Sequence, residues 1–496
     1  MDNLANWMQA HVLTLLLAFP AVGSVVMMAL PRGAKLAVRL TAAIASGATV
    51  LIAAYLFLAY DRGAGGVQFI EQVPWVPQLG LSYHLGVDGI GISMVVLTAF
   101  IICTGSFASW TVEHRTKEFY AALFFLVTGV FGVFAAMDLF FFFLFYEIAV
   151  LPMYLLIGIW GTGPKEYAAL KLTLFLLVGS AFMLIGLLGI YFFSGAPQPT
   201  FDFLRLSALS RDGAFSVGLQ RTIFLLLYVG FGILAGIWPL HTWSPDGHAS
   251  APTAVSMLHA GVLMKLGAYG VLRIGVGLLP QGAVFWAPLV GGIAVVNILY
   301  GAMSAMGQTD LKYVIAYSSV SHMGVVMLGI ATLNPVGLNG AVFQMFSHGI
   351  MTGLFFALVG LVYEKAHTRD MPSMGGFALR MPGIAAAFTI GGLTSFGVPG
   401  TSGFIAELLV FLGTWRVYPV LAILAVFGIV ITATYVLRVL QRVFLGPFKE
   451  RYEGIPDART TEWVALVALS ALLILLGVLP GPMIGLIDTA IRSFVP

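Results

Sequence analysis

Ser-Phe-Gly-Val-Pro-Gly-Thr-Ser-Gly-Phe, residues 395–404, breaks an apolar run that otherwise extends from residue 383 to residue 413. A second break, Trp-Pro-Leu-His-Thr-Trp-Ser-Pro-Asp-Gly-His at residues 238–248, follows the apolar run that begins at residue 221. Proline removes a backbone N–H donor and clashes with the preceding turn, so a helix stops at each stretch. Non-helical backbone at membrane depth is found only inside protein or beside a water-filled cavity. The two stretches therefore predict a pair of interrupted membrane helices with a polar interior.

The composition around these breaks is typical of a membrane protein. Of 496 residues, 59% are hydrophobic and only 9% are charged, with 24 Lys and Arg against 21 Asp and Glu, whereas a soluble chain has roughly 25% charged residues. The mean hydropathy is +0.98. These values exclude a soluble enzyme, a secreted disulfide-rich scaffold and a nucleic-acid-binding protein. The single cysteine, Cys103, cannot form an internal disulfide, an iron–sulfur cluster or a cysteine-based zinc site. The sequence also has no phosphate-binding glycine loop, so we expect no nucleotide or flavin site on this chain.

The apolar runs predict an all-α integral membrane protein with about fourteen transmembrane helices, since one span needs about 20 apolar residues. The predicted spans lie near residues 11–30, 36–60, 88–110, 119–136, 138–157, 168–193, 221–240, 253–278, 284–306, 310–331, 338–364, 383–413, 419–445 and 462–487. The breaks fall in spans 7 and 12, five spans apart, which predicts two inverted repeats of five helices. The predicted units are residues 1–110 with spans 1–3, 119–278 with spans 4–8, 284–445 with spans 9–13, and 446–496 with a cytoplasmic loop and span 14.

The basic residues predict the orientation in the membrane. They concentrate in alternate loops, whereas the opposite loops hold fewer of them. The richer loops contain Arg32, Lys35, Arg39, Arg115, Lys117, Lys165, Lys365, Arg369, Arg380, Lys449, Arg451 and Arg459. By the positive-inside rule these loops are cytoplasmic. An even number of spans then places both termini on the non-cytoplasmic side.

Seven of the ionisable side chains inside the predicted spans are the most informative, because a charge at membrane depth costs about 2.5–3.5 kcal/mol on insertion scales. They are Glu147, Lys171, His259, Lys265, His322, His348 and Glu407. Carboxylates, lysines and histidines kept in one apolar layer are the groups that a proton relay requires. Two of them have structural alternatives, because Lys171 near its helix start can extend to the interface and His259 can be a packing residue. The others favour function, above all Lys265 and Glu407.

Several motifs are similar to one known family. They are Pro-Leu-His-Thr-Trp-Ser-Pro-Asp-Gly-His at 239–248, Ala-Pro-Thr at 251–253, His-Ala-Gly-Val-Leu-Met-Lys-Leu-Gly-Ala-Tyr-Gly at 259–270, Asp-Leu-Lys-Tyr-Val-Ile-Ala-Tyr-Ser-Ser-Val-Ser-His-Met-Gly at 310–324 and Gly-Val-Pro-Gly-Thr-Ser-Gly-Phe-Ile-Ala-Glu at 397–407. Over essentially its whole length the chain resembles the antiporter-like subunits of respiratory complex I. Among these it looks like the M type, the equivalent of mitochondrial subunit 4. Glu407 supports the M type, since the sister types L and N usually have lysine there.

The resemblance implies a role for each matching residue. Glu147 would sense charge in the neighbouring subunit, and Lys265 would be the central lysine of span 8. His322 and His348 would connect the two halves, and Glu407 would be the exit group of span 12.

One position departs from the family pattern, because a lysine of span 7 that usually pairs with the glutamate of span 5 is replaced by Leu234. An unpaired buried carboxylate is costly. We therefore expect Glu147 to be neutral or to pair with Lys171, which matches a basic position of span 6 in many members. The alternative is a changed or impaired input half-channel.

The resemblance implies a proton-translocating, non-redox subunit of a bacterial NADH–quinone oxidoreductase in the plasma membrane. NADH, FMN, iron–sulfur clusters and quinone would bind to partner subunits, and no cofactor to this chain. The expected partners are the other membrane subunits, especially the sister antiporter-like subunits, and the lipid bilayer, with no nucleic acid. A subunit of a multisubunit cation/proton antiporter or of a membrane-bound hydrogenase is the first alternative. A stand-alone channel or carrier and a purely structural scaffold are the others.

Overall fold

The computed structural model describes residues 7, 10–194 and 198–492. Within them, thirteen helices are long and apolar enough to cross a membrane. The elements in chain order are α1 (Val12–Ala29), α2 (Lys35–Ala59), β1 (Gln68–Val76), β2 (Leu81–Val87), α3 (Gly89–Ala108), α4 (Thr116–Ala135), α5 (Leu139–Trp160), α6 (Lys165–Phe193), α7 (Phe203–Arg211), α8 (Val217–Ala235), α9 (Trp243–Ser250), α10 (Thr253–Val276), α11 (Pro280–Gly307), α12 (Leu311–Ala331), α13 (Pro335–Ala366), α14 (Pro382–Ser395), α15 (Ser402–Val417), α16 (Pro419–Phe444), α17 (Thr460–Val478) and α18 (Gly481–Ile491). The two halves of predicted span 12, α14 and α15, are each shorter than a full span. Together they supply the fourteenth crossing, which confirms an all-α membrane protein of about fourteen spans.

Both interrupted helices are present. In span 7, α8 ends at Ala235 and Gly236 closes it in the left-handed conformation, with φ of 72°. The chain is then non-helical until α9 begins at Trp243. The Asn297 side chain accepts the Trp238 N–H at 2.7 Å and donates to a backbone carbonyl of α12. A side chain of a neighbouring helix thus satisfies backbone that the break has freed, as membrane burial requires.

The structure also contains elements that the hydropathy pattern does not predict. Residues 68–87 form an antiparallel hairpin of β1 and β2, joined by a turn that Gly80 ends with φ of 65°. The Glu71 carboxylate of β1 accepts the N–H groups of Leu13 and Thr14 and so caps α1. The predicted last span, 462–487, is instead two helices, α17 and α18, separated at Leu479 and Pro480. We call the end of the bundle with β1, β2 and α7 the hairpin end, and the opposite end, where α2 begins at Lys35, the basic end.

The centre of the bundle is made by three helices. The apolar windows of α10 and α13 are entirely buried, and that of α12 is 94% buried, whereas α2, α16 and α17 are each 33% buried. Helices with one exposed face suit contact with lipid, and the enclosed helices hold the polar side chains. In α10 the α-helical pattern loosens twice into π-helical turns, at His259–Leu263 and at Val271–Val276. Such turns are rare and frequently occur at functional sites. The division into two five-helix repeats stays a prediction.

Candidate functional site

Lys265 lies in the fully enclosed helix α10, between its two π-helical turns, and its side chain is 0% exposed. Its Nζ donates to the backbone carbonyl of Ala260, at 2.5 Å, in the first of these turns. The same Nζ lies 2.8 Å from Nδ1 of His348 on α13. A buried amine needs partners for its donors, and these two contacts fix the lysine head against a second titratable group.

The contacts continue from His348 to two further titratable groups. The rings of His348 and His322 have centroids 5.1 Å apart. Nδ1 of His322, on α12, lies 3.6 Å from Oε1 of Glu407 on α15. Lys265, His348, His322 and Glu407 therefore form a continuous series, called here the central row, in which each member comes from a different helix. All four are buried, with exposures of 0%, 1%, 4% and 4%.

Polar neighbours orient the middle of the central row. Nε2 of His322 lies 3.2 Å from Oγ of Ser395, the last residue of α14, and Nδ1 lies 3.3 Å from the Gln344 amide. Ser347 and Ser402 join α13 to the start of α15 through their hydroxyls, 2.7 Å apart. Both halves of the broken span 12, α14 and α15, thus form hydrogen bonds with the central row or with the helix α13 that carries His348.

The break in span 12 also sets the position of the Glu407 carboxylate. Gly397 has φ of 65°, and a Cβ added there would lie 2.7 Å from Oε2 of Glu407. Glycine adopts this positive φ without strain and leaves the space to the carboxylate, which explains a glycine at this point of the break. The backbone of the interrupted segment therefore forms one wall of the carboxylate site.

Some hydrogen-bonding capacity in the central row is unused. Among the described residues, Nε2 of His348 and Oε2 of Glu407 have no hydrogen-bond partner. Proton transfer needs a direct hydrogen bond or one bridging water between neighbouring groups. The 2.8 Å contact between Lys265 and His348 is a direct hydrogen bond. The 3.6 Å distance between His322 and Glu407, together with the two unpaired atoms, suits transfer by way of water. The arrangement can carry a proton over short steps through an apolar interior.

The structure does not bring Lys171 to Glu147. Nζ of Lys171 lies 2.7 Å from Oδ2 of Asp246, in the short helix α9. The other carboxylate oxygen of Asp246 accepts a hydrogen bond from the Tyr313 hydroxyl at 3.0 Å. Glu147, on α5, is half-buried and lies beside Ser180. It forms no ion pair with any described residue within 4.0 Å. Ser180 is nine residues after Lys171 on α6, about 13 Å along the helix axis. The expected pairing of Lys171 with Glu147 is therefore corrected. With the fully buried Leu234 at the position of the usual lysine, Glu147 has no cationic partner among the described residues.

Three further polar residues, which the sequence pattern did not single out, lie between the basic end and Lys265. His248 of α9 has its ring centroid 4.2 Å from that of His259 and its Nε2 3.3 Å from the Met264 sulfur. Lys312 donates to the Ala251 carbonyl at 2.6 Å. The third is Asp246, the partner of Lys171. Their signal in the sequence is position only, because His248 and Asp246 belong to the break of span 7 and Lys312 looks like an ordinary residue of a helix start.

No group of three or more His, Cys, Asp or Glu side chains that could hold a metal ion occurs in the described part of the chain.

The six predicted site residues separate into the four of the central row, one half-buried carboxylate on α5 and one lysine on α6.

The chain is similar to known membrane subunits over nearly its whole length. The sequence model of the family described as "NADH:quinone oxidoreductase/Mrp antiporter, TM" matches residues 136–432. NADH-quinone oxidoreductase subunit M of Rhodobacter capsulatus is 37% identical over 98% of this chain and 96% of its own. NAD(P)H-quinone oxidoreductase chain 4 2 of Thermosynechococcus vestitus is 42% identical over 78% of this chain and 73% of its own.

A solved structure gives the same result. A chain of respiratory complex I from Thermus thermophilus, solved with bound NADH, superimposes with a TM-score of 0.87 at 30% identity, over 97% of this chain and 99% of that one. Residues 136–432, which the family model matches, include the central row. The chain therefore belongs to the NADH:quinone oxidoreductase/Mrp antiporter family of membrane subunits, as a relative of subunit M and chain 4.

Proposed function

We propose that this chain translocates protons across the membrane along the central row, as a membrane subunit of an NADH–quinone oxidoreductase. The observation that carries the proposal is the continuity of the row: Lys265, His348, His322 and Glu407, from four different helices, lie in succession in the most enclosed part of the bundle. Titratable side chains at such depth are costly. A series of them in contact is the arrangement that a relay needs and that a scaffold has no use for.

The path begins at the basic end, which the positive-inside rule assigns to the cytoplasm. Lys312 and His248 lie between that end and Lys265 and supply the entry. A proton then passes to His348, to His322 and to Glu407. Moving one charge against 100 mV requires about 2.3 kcal/mol. We infer that this energy comes from quinone reduction in partner subunits, which bind NADH, FMN, iron–sulfur clusters and quinone, and that this chain carries out no redox chemistry itself.

The position of Glu147 suits the partner that the family relationship implies. Its side chain is half-buried and lies beside Ser180 on the side of α5 that faces α6. Its Oε1 has no hydrogen-bond partner among the described residues. A sister antiporter-like subunit packed against α5 would supply the missing charge. We place the assembly in the bacterial plasma membrane, with both termini on the non-cytoplasmic side.

The test replaces Lys265 by Met in the intact complex, because Met keeps the length and removes the titratable group. Lys449→Met, at the basic end and outside the central row, is the matched control. Quinone reduction and proton uptake are measured together in reconstituted vesicles. We expect Lys265→Met to abolish the share of proton translocation that depends on this subunit, and Lys449→Met to leave it unchanged. Normal proton translocation by an assembled Lys265→Met complex would contradict the proposal.

A second candidate is a subunit of a multisubunit cation/proton antiporter, because the family description covers both classes. Leu234 adds weight to this candidate, since the usual lysine at this position is part of the expected input from quinone reduction. The subunits that copurify with the tagged chain distinguish the two. Redox subunits support the oxidoreductase, and their absence together with Na⁺-driven proton movement supports the antiporter.

A further inference from the structure

A second polar region lies at the hairpin end, away from the central row. It is a cavity of about 1050 Å³ between the hairpin, α7, the start of α8 and the end of α10. Its mouth is formed by exposed residues such as Arg211 and Val217, and its floor by the buried Asp88, Gln220 and Arg273. A cavity of this size with a polar floor and an exposed mouth has room and partners for water.

The floor of the cavity is a buried ion pair. Arg273 donates from Nη1 to Oδ2 of Asp88, and their side chains are only 5% and 3% exposed. Asp88 also accepts the N–H groups of Ile90 and Gly91 and so caps α3. The guanidinium of Arg273 lies 5.1 Å from the centre of the Phe203 ring, on the helix α7 that covers the cavity. The pair therefore closes the cavity at the depth where α3 begins.

The arginine of this ion pair and the central lysine lie on the same helix. Lys265, Tyr269 and Arg273 are spaced by four residues on α10, a spacing that places side chains on the same helix face. The guanidinium of Arg273 lies 5.9 Å from the centre of the Tyr269 ring, and the Tyr269 hydroxyl donates to the Phe134 carbonyl at 3.2 Å. From Lys265 to Arg273 the helix rises by only about 12 Å. The second π-helical turn, Val271–Val276, contains Arg273, so the backbone departs from α-helical geometry where this face meets the cavity.

We propose that the cavity is a water-filled outlet at the hairpin end, and that Tyr269 with the Asp88–Arg273 pair controls proton passage between Lys265 and that water. This inference rests on the proposed function and adds a second exit beside Glu407. In the step, an N–H bond of the Lys265 ammonium breaks and the proton passes by way of the Tyr269 hydroxyl, which accepts it and releases its own. An O–H bond forms on a water of the cavity. The lysine is left as a neutral amine and regains a proton from the basic end.

The ion pair suits a gate because it is electrically neutral when closed. An isolated arginine in the path would repel a proton, whereas Asp88 compensates the charge of Arg273. The cavity beside the pair gives the arginine side chain space into which it can swing. Opening exposes the Tyr269 hydroxyl to water, and closing restores the barrier against back-flow.

The first test blocks the cavity in the intact complex. Ser207 and Ala208 are neighbours on α7, but only Ser207 lines the cavity, and Ala208 is exposed. After Cys103→Ser, cysteine is introduced at one position or the other and modified with a positively charged, membrane-impermeant thiosulfonate. We expect the modified Ser207→Cys complex to lose the share of proton translocation that leaves through the cavity and so to fall clearly below its unmodified rate. The modified Ala208→Cys complex should keep the unmodified rate.

The second test removes one hydroxyl. Tyr269→Phe keeps the ring and should lower the rate of proton release through the cavity by about 100-fold or more, the usual effect of losing a positioned proton-transfer group. Tyr228→Phe is the control. The Tyr228 hydroxyl is buried like that of Tyr269, but it has no hydrogen-bond partner among the described residues. If Tyr269 has only a structural role, Tyr269→Phe should impair assembly of the complex. If Tyr269 transfers protons, the complex should assemble normally and translocate protons more slowly.

The outcomes separate the two proposals. If Lys265→Met and Glu407→Gln complexes assemble and translocate protons normally, the proposed function itself fails. If those variants lose proton translocation while Tyr269→Phe and the modified Ser207→Cys complex retain it, the outlet is refuted and the central row stands. Equal loss in the modified Ser207→Cys and Ala208→Cys complexes also refutes the outlet, because the effect then does not depend on the cavity.

Discussion

Replacing Gly397 by alanine tests whether the break in span 12 positions the Glu407 carboxylate. The new Cβ would lie 2.7 Å from Oε2 of Glu407, whereas ordinary contact begins at 3.4 Å, so the oxygen must move by about 0.7 Å. The oxygen is the far end of a flexible side chain, so it moves more easily than the backbone. The carboxylate now stands 3.6 Å from His322, and a shift of this size changes whether one water can join the two groups.

Gly400 supplies a matched control. It lies in the same break with φ of 92°, and a Cβ added there meets no atom within 4 Å. Both substitutions carry the strain of a side chain in the left-handed region, about 1–2 kcal/mol. Only Gly397→Ala displaces the carboxylate.

Proton translocation by vesicles containing each assembled variant is the assay, with thermal unfolding as the measure of stability. We expect similar losses of stability for the two variants. Gly397→Ala should also translocate protons about tenfold more slowly, since a displacement approaching 1 Å in a positioned reaction costs up to about 100-fold. Equal proton translocation by Gly397→Ala and Gly400→Ala would refute the reasoning.

Two further predictions concern stability at the basic end. Glu462→Ala should lower the free energy of unfolding by about 3–5 kcal/mol, because it leaves the buried Lys365, 3.0 Å away, without its counter-ion. The control is Glu364→Ala, which removes the partner of an exposed arginine and should change the free energy of unfolding by at most about 1 kcal/mol. Equal effects of the two substitutions in a detergent unfolding assay would contradict this prediction. Hydrogen bonds from Lys35 and from a neighbouring arginine lower the pKa of Glu113 from 4.5 to about 2. A carboxyl group whose pKa is lowered by folding stabilises the fold at pH values above its pKa in the unfolded chain. The difference in melting temperature between wild type and Glu113→Gln should therefore be present at neutral pH and disappear as the pH falls from 4.5 toward 2. A difference that does not change with pH would count against the contact.

The spans and their breaks could be predicted because the bilayer leaves few options. Every backbone polar group inside lipid must be satisfied within the protein, so apolar length decides where a helix lies. Prolines and glycines then decide where it stops, as at residues 238–248 and 395–404. The residues of the central row could be predicted for the same reason, since Lys265 and Glu407 are costly at that depth.

The contacts between helices could not be read from the sequence in the same way. Lys171 could pair with any acidic group on the helices around it, and only the packing of α6 against the short helix α9 selects Asp246. The hairpin at residues 68–87 depends on tertiary contacts such as the hydrogen bond from the Leu13 N–H to the Glu71 carboxylate at the start of α1. The gate residues Asp88 and Arg273 are 185 positions apart in sequence, and no local pattern joins them.

The most direct measurement of the central claim is a map of the intact complex in which water molecules are resolved around the central row. Nε2 of His348 and Oε2 of Glu407 have no hydrogen-bond partner among the described residues, so a relay requires water at both atoms. We predict ordered water within hydrogen-bond distance of each, forming a continuous path from Lys265 to Glu407. Dry apolar packing around these atoms, or Lys265 and Glu407 turned toward lipid, would contradict proton transfer along the row.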